Sequence, residues 1–259
     1  MTGAGSVTAL VLLEWSAGWI GVAAWSQSWK VIRRGHFRIT ALITLLLSVL
    51  SVAAVRGSAS SSVFRDLAML FALSALLFLL VQYVRSDMAG VIAGGGAALA
   101  GLAALLAASR LIAGWPQYLA AVELIAGAVL LGAVTNGMML GHWYLNQPGL
   151  KPWALGRLTD LAAVATAASA LLGLLAVRLL AGASTTGAAL GLPGFGESFG
   201  IGFFIIWGVL IAFTGAVVLA ARRCIQIRSI QSATGLYYVA LLTAGVAEFL
   251  VRYLMVNAA

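Results

Sequence analysis

Three carboxylates and two arginines stand where their surroundings should not tolerate them. Glu14, Glu123 and Glu248 each fall inside a long apolar run, and Arg178 and Arg252 lie near the ends of two such runs. An ionisable side chain within hydrocarbon is costly to keep, and where one is kept it usually serves an ion, a proton or a ligand. Glu248 and Arg252 are four residues apart, the spacing that puts two side chains on one helix face. Glu14 and Glu123 have no cation within a turn of their own run, so their partners must come from other segments. Helical rise counted from the run ends puts Glu14 roughly 10 Å, Glu123 roughly 8 Å and Glu248 roughly 9 Å below one surface. The three are therefore expected to line one cavity open to that surface. Two like charges about 4 Å apart repel by about 4 kcal/mol even at an effective dielectric near 20. Such a layer requires that Arg252 and Arg178 point into it, or that at least one carboxyl carries a proton.

A second polar group closes the stretch ELIAGAVLLGAVTNGMMLGHWYLNQPGLKPW, which runs from Glu123 to Trp153. It comprises Asn136, His142 and Tyr144, with Asp160 beyond the Pro-rich turn. His142 could act as a single axial ligand to a haem or chlorin, as a proton carrier, or as a donor to a quinone carbonyl. A histidine bonded to a loop carbonyl is the plainer alternative. His36, in KVIRRGHFR, reads as a loop residue, which leaves no second histidine in the bilayer and argues against a two-histidine haem. No Walker, HExxH or GxSxG motif and no metal-ligand spacing is found. The single Cys224 rules out an internal disulfide. No self-contained catalytic constellation is legible, and any activity is expected to be that of a larger assembly.

Composition identifies the medium that must hold these groups in place. Of 259 residues, 63% are hydrophobic and 8% charged, against about 25% charged in a soluble domain. Such a chain cannot cover its own surface in water, so lipid is its solvent. Eight apolar spans can be placed, roughly 7–29, 39–55, 66–84, 88–108, 117–143, 158–179, 200–221 and 230–255. Each is read as a helix, because open strands leave their backbone groups unsatisfied in lipid. The 30 glycines, including Gly90, Gly94, Gly137 and Gly141, lie largely within these spans and suit close helix packing better than phosphate binding. The predicted fold is an all-α polytopic membrane protein of eight transmembrane helices, one transmembrane domain with no soluble domain.

The net charge of +8 comes from residues in short loops and not from one face or arm, which argues against nucleic acid. If the N-terminus is outside, Lys30, Arg33, Arg34, Arg38, Arg85, Lys151, Arg157, Arg222, Arg223 and Arg228 fall inward. Arg56, Arg65, Arg110, Arg178 and Arg252 then fall outward, a split of ten to five. Both termini are accordingly expected on the outer, periplasmic side of a bacterial inner membrane. Trp29, Trp143, Tyr144 and Trp153 at one boundary, and Trp115 and Tyr118 at the other, read as interfacial belts.

The first and fifth spans share Glu followed by Ala-Gly (Glu14 with Ala17-Gly18, Glu123 with Ala126-Gly127), and each runs into an aromatic, basic loop bearing a histidine. The fourth and eighth each follow Arg-Ser and end in Arg. These matches suggest a parallel 4+4 repeat with halves 1–114 and 115–259. That arrangement resembles, in architecture alone, the quinone-binding membrane subunits of the polysulfide-reductase type, and it implies a quinone site between helices. The leading expectation is an integral subunit of a respiratory or photosynthetic electron-transfer or energy-converting complex, bound to other membrane subunits and handling quinone or protons. A small proton- or cation-coupled secondary transporter and an accessory or assembly protein are the alternatives.

Overall fold

The computed structural model describes residues 3–58, 61–84, 86–112, 115–147, 149–180 and 198–257. Among them are eight helices: α1 (Gly3–Gln27), α2 (Arg34–Ser58), α3 (Ser62–Val81), α4 (Asp87–Ser109), α5 (Gln117–Trp143), α6 (Trp153–Leu180), α7 (Ser198–Gln226) and α8 (Ile230–Asn257). All eight are long and apolar enough to cross a bilayer, and the protein is an all-α, multi-pass membrane protein. Several helices start earlier than the apolar runs suggest. α2 begins at Arg34 and α6 at Trp153 because a helix continues through polar first turns that hydropathy does not register. Ser61 and Ser86 cap α3 and α4, accepting from the backbone N–H of Phe64 and Ala89.

Each half closes into its own bundle. α1 and α3 both pack on α2 and α4, and α5 and α7 both pack on α6 and α8. The bundles meet through α1 and α5, with α8 reaching α1 and α4 reaching α5. The two meeting helices are also the best covered: 72% and 67% of their spanning windows is buried, against 28% to 39% for α2, α3, α4, α6 and α7.

Small residues set the spacing. Phe64, Phe71 and Phe78 recur every seven residues on the buried face of α3. Gly94 and Gly101, also seven apart on α4, leave room for Phe78 and Phe71. At the α1–α5 crossing even the side-chain layer is absent. A Cβ on Gly18 would run into the Ala128 carbonyl, and one on Gly132 into the Gly18 backbone. Backbone on backbone is the approach that glycine alone permits between membrane helices.

Candidate functional site

The α1–α5 crossing brings Glu14, one turn before Gly18, toward Glu123 and Gly127, while α8 presents Glu248 and Arg252 on one face. The Arg252 guanidinium is the centre of the cluster. Its Nε donates to Glu14 Oε1 at 2.8 Å, and its Nη2 lies 2.7 Å from the same oxygen. Nη2 also donates to Glu248 Oε2 and to the Glu123 carbonyl oxygen, both at 2.8 Å. Nη1 lies 3.7 Å from Glu123 Oε2 and 3.0 Å from the Met255 sulfur. Gly127 makes the space, since a Cβ there would meet Arg252 Nη2 and Glu248 Oε2.

All four charged residues are between 0% and 1% exposed. The expected open cavity is therefore corrected to a sealed cluster. The helix ends are staggered around it, because α1 starts at Gly3. By helical rise Glu14 lies about 17 Å from the start of α1, Glu123 about 9 Å from the start of α5 and Glu248 about 14 Å from the end of α8. All three carboxylates nevertheless come within 3.7 Å of one guanidinium, so they share a level. Among the described residues three carboxylates face one guanidinium, so full ionisation of these four groups would leave a net charge of −2. Glu14 Oε2 and Glu123 Oε1 are buried without a hydrogen-bond partner among the described residues. Arg178 lies in the last turns of α6, and its side chain is outside the described residues.

The second expected group does not assemble. Asn136 and His142 are six residues apart, which places them about 120° apart around α5. Asn136 turns inward. Its Oδ1 lies 3.2 Å from His36 Nε2, and its Nδ2 donates to Ser26 Oγ at 3.2 Å. His142 is exposed and stands apart from Asn136. The Tyr144 hydroxyl donates to the Lys151 carbonyl at 2.7 Å and ties the α5–α6 turn. Burial pushes its phenol up to about 12, so it stays a neutral donor. Asp160 pairs with Arg222 at 2.8 Å across α6 and α7, both about half exposed.

His36 corrects the loop reading. It is the third residue of α2 and 0% exposed, edge-on to Trp143 at a centroid distance of 5.9 Å. Gly35 admits the Trp143 ring beside it. A second buried pair also escaped the sequence: Gln27 and Gln82 exchange amide hydrogen bonds at 3.0 and 3.2 Å across α1 and α3. An apolar neighbourhood with a lone amide in each run was the only signal for it. Among the described residues no group of three or more His, Cys, Asp or Glu is arranged to hold a metal ion.

Compared with protein-family models, curated proteins and solved structures, the chain matches none.

Proposed function

We propose that this chain is a proton-handling integral subunit of an energy-converting membrane complex. The observation that carries the reading is the sealed cluster in which Glu14, Glu123 and Glu248 share Arg252, the one cation paired with them among the described residues. A buried charge without a partner is far more expensive than a neutral carboxyl, so spare carboxylates in such a place hold protons. The unpartnered Glu14 Oε2 and Glu123 Oε1 are the atoms where a proton would reside. Movement of Arg252 toward one carboxylate changes how many protons the others keep. The cluster thereby converts a small displacement into proton uptake or release. In this reading the basic-rich loops face the cytoplasm of a bacterial cell and the helix ends near Glu14 and Glu123 face outward. The electron-transfer partner and its carrier, a quinone in the simplest case, belong to the rest of the complex.

Infrared difference spectra of the purified protein test the proton directly. A protonated-carboxyl carbonyl band is expected near neutral pH, altered in Glu14→Gln and in Glu123→Gln. A wild-type spectrum without such a band between about pH 5 and pH 9 would remove the reading. Purification without crosslinking tests the complex, a redox partner in fixed stoichiometry being the expected result.

One observation favours a proton-coupled secondary transporter as the second reading. The cluster straddles the two bundles, with Glu14 from the first and Glu123, Glu248 and Arg252 from the second. If the bundles are repeats related by an axis along the membrane normal, their interface is where a transporter binds its coupling ion. A lone monomer or dimer showing proton-coupled uptake in liposomes would decide for it.

A further inference from the structure

Away from the carboxylates, a cavity of about 330 Å³ lies over the α1–α5 crossing, between α4 and α6. Its floor includes Gly18 and Gly21, with Ala98 on one side and Leu161 on the other, and Trp25 stands at one end. Apart from the Trp25 indole, no lining side chain carries a polar group. From Ala17 to Trp25 the cavity follows about 12 Å of α1. A quinone or sterol head would find almost nothing there to bond, whereas a hydrocarbon chain is suited to it.

Chemistry of the opposite kind stands at the Trp25 end. Trp29 is one turn beyond Trp25 and packs edge-on against it, with ring centroids 4.8 Å apart. Trp153 is 5.5 Å from Trp29. Arg157, one turn before Leu161 on α6, lies over both indoles, 4.7 Å from the Trp153 ring and 5.6 Å from the Trp29 ring. The aromatic faces hold the guanidinium without neutralising it. Among the described residues no carboxylate pairs with Arg157, which is exposed. Its planar N–H fork therefore remains available, and that fork matches a phosphate. Lys30 and Lys151, both exposed and close in sequence to Trp29 and Trp153, add positive charge at the same end.

We propose that this cavity is a specific site for an anionic phospholipid, with its phosphate on Arg157 between Trp29 and Trp153 and one acyl chain along Gly18 and Gly21. The proposal does not rest on the proton-handling reading. Charge complementarity selects the anionic headgroup, and the absence of polar lining selects the chain. Trp25 and Trp29 sit at the boundary between the two, where an amphipathic indole is at home.

Native mass spectrometry of the delipidated full-length protein tests it, with phosphatidylglycerol and phosphatidylcholine of identical acyl chains as probes. One phosphatidylglycerol is expected to be retained, about fivefold more tightly than phosphatidylcholine. Arg157→Ala should remove that preference and leave phosphatidylcholine retention unchanged. Gly21→Leu, which fills the cavity, should weaken retention of both lipids. Millimolar inorganic phosphate should not displace the lipid, because it lacks the chain. Thermal unfolding without lipid checks that each variant folds, and Arg157→Gln replaces Arg157→Ala if that variant does not. Equal retention of the two lipids by the wild type, an unchanged preference in the Arg157 variant, or full displacement by phosphate would each overturn the assignment.

Discussion

Replacing Arg252 by methionine is the most informative perturbation, because it deletes the cation that all three carboxylates contact while keeping an unbranched apolar side chain. Removing one partner of a buried ion pair costs about 3–5 kcal/mol, through the uncompensated charge left behind. Arg252 donates at 2.8 Å to Glu14, to Glu248 and to the Glu123 carbonyl, so the upper part of that range applies. Protonation of the orphaned carboxyls sets a ceiling, since each pH unit of forced proton uptake is worth about 1.4 kcal/mol per group. At about 2–4 °C per kcal/mol for a chain of this length, the expected fall in Tm is roughly 10–15 °C. The assay is thermal unfolding in detergent, followed by circular dichroism at several pH values. The loss should be larger at about pH 8 than at about pH 5, because protonated carboxyls need no counter-ion. Adding Glu14→Gln to Arg252→Met should recover part of the loss, whereas Glu14→Gln alone should be destabilising. Gly127→Ala probes the same contact from the other side, since its Cβ would displace the guanidinium at an overpacking cost of about 1–3 kcal/mol. A Tm drop below about 3 °C at every pH, or strict additivity of Arg252→Met and Glu14→Gln, would refute the reasoning.

Two further outcomes are expected. His36→Ala should cost about 2–3 kcal/mol, leaving Asn136 Oδ1 without its donor in a sealed site, while His142→Ala on the exposed face should stay within about 0.5 kcal/mol; chemical denaturation of both variants provides the comparison. Single cysteines in 30–38, 146–157 and 222–228, in a Cys224→Ser background, should resist impermeant maleimide in intact cells, and labelling of any one would reverse the proposed orientation.

The eight helices were legible because a membrane span has to be a long apolar run, and nothing else in this composition competes with that signal. What hydropathy hid was the polar first turn of α2, and with it His36, whose neighbours Arg33, Arg34 and Arg38 make the segment look like a loop. The carboxylates were visible as misplaced charges, and Arg252 as the nearest cation to Glu248. That Arg252 also reaches α1 and α5 depends on a helix crossing, which no single run encodes. Asn136 and His142 were grouped by closeness in sequence, and the helical period separates them. The Gln27–Gln82 pair depends on two runs meeting, so neither run announces it. The fourfold correspondence of neighbours between the bundles is a matter of packing, and the sequence matches at Glu14 and Glu123 hint at it only faintly.

The bare crossing of Gly18 against Ala128 and Gly132 acts as a fulcrum. Two backbones in direct contact have no compliant side-chain layer to shear, so a tilt of α1 against α5 would turn about that point. Leverage then depends on distance along α1. A swing of about 10° carries Gln27, nine residues away, through roughly 2 Å, and Glu14, four residues away, through roughly 1 Å. The smaller arm is still sufficient, because 1 Å added to a 2.8 Å hydrogen bond takes it out of range. A tilt too slight to alter the shape of the protein can thus uncouple Glu14 from Arg252.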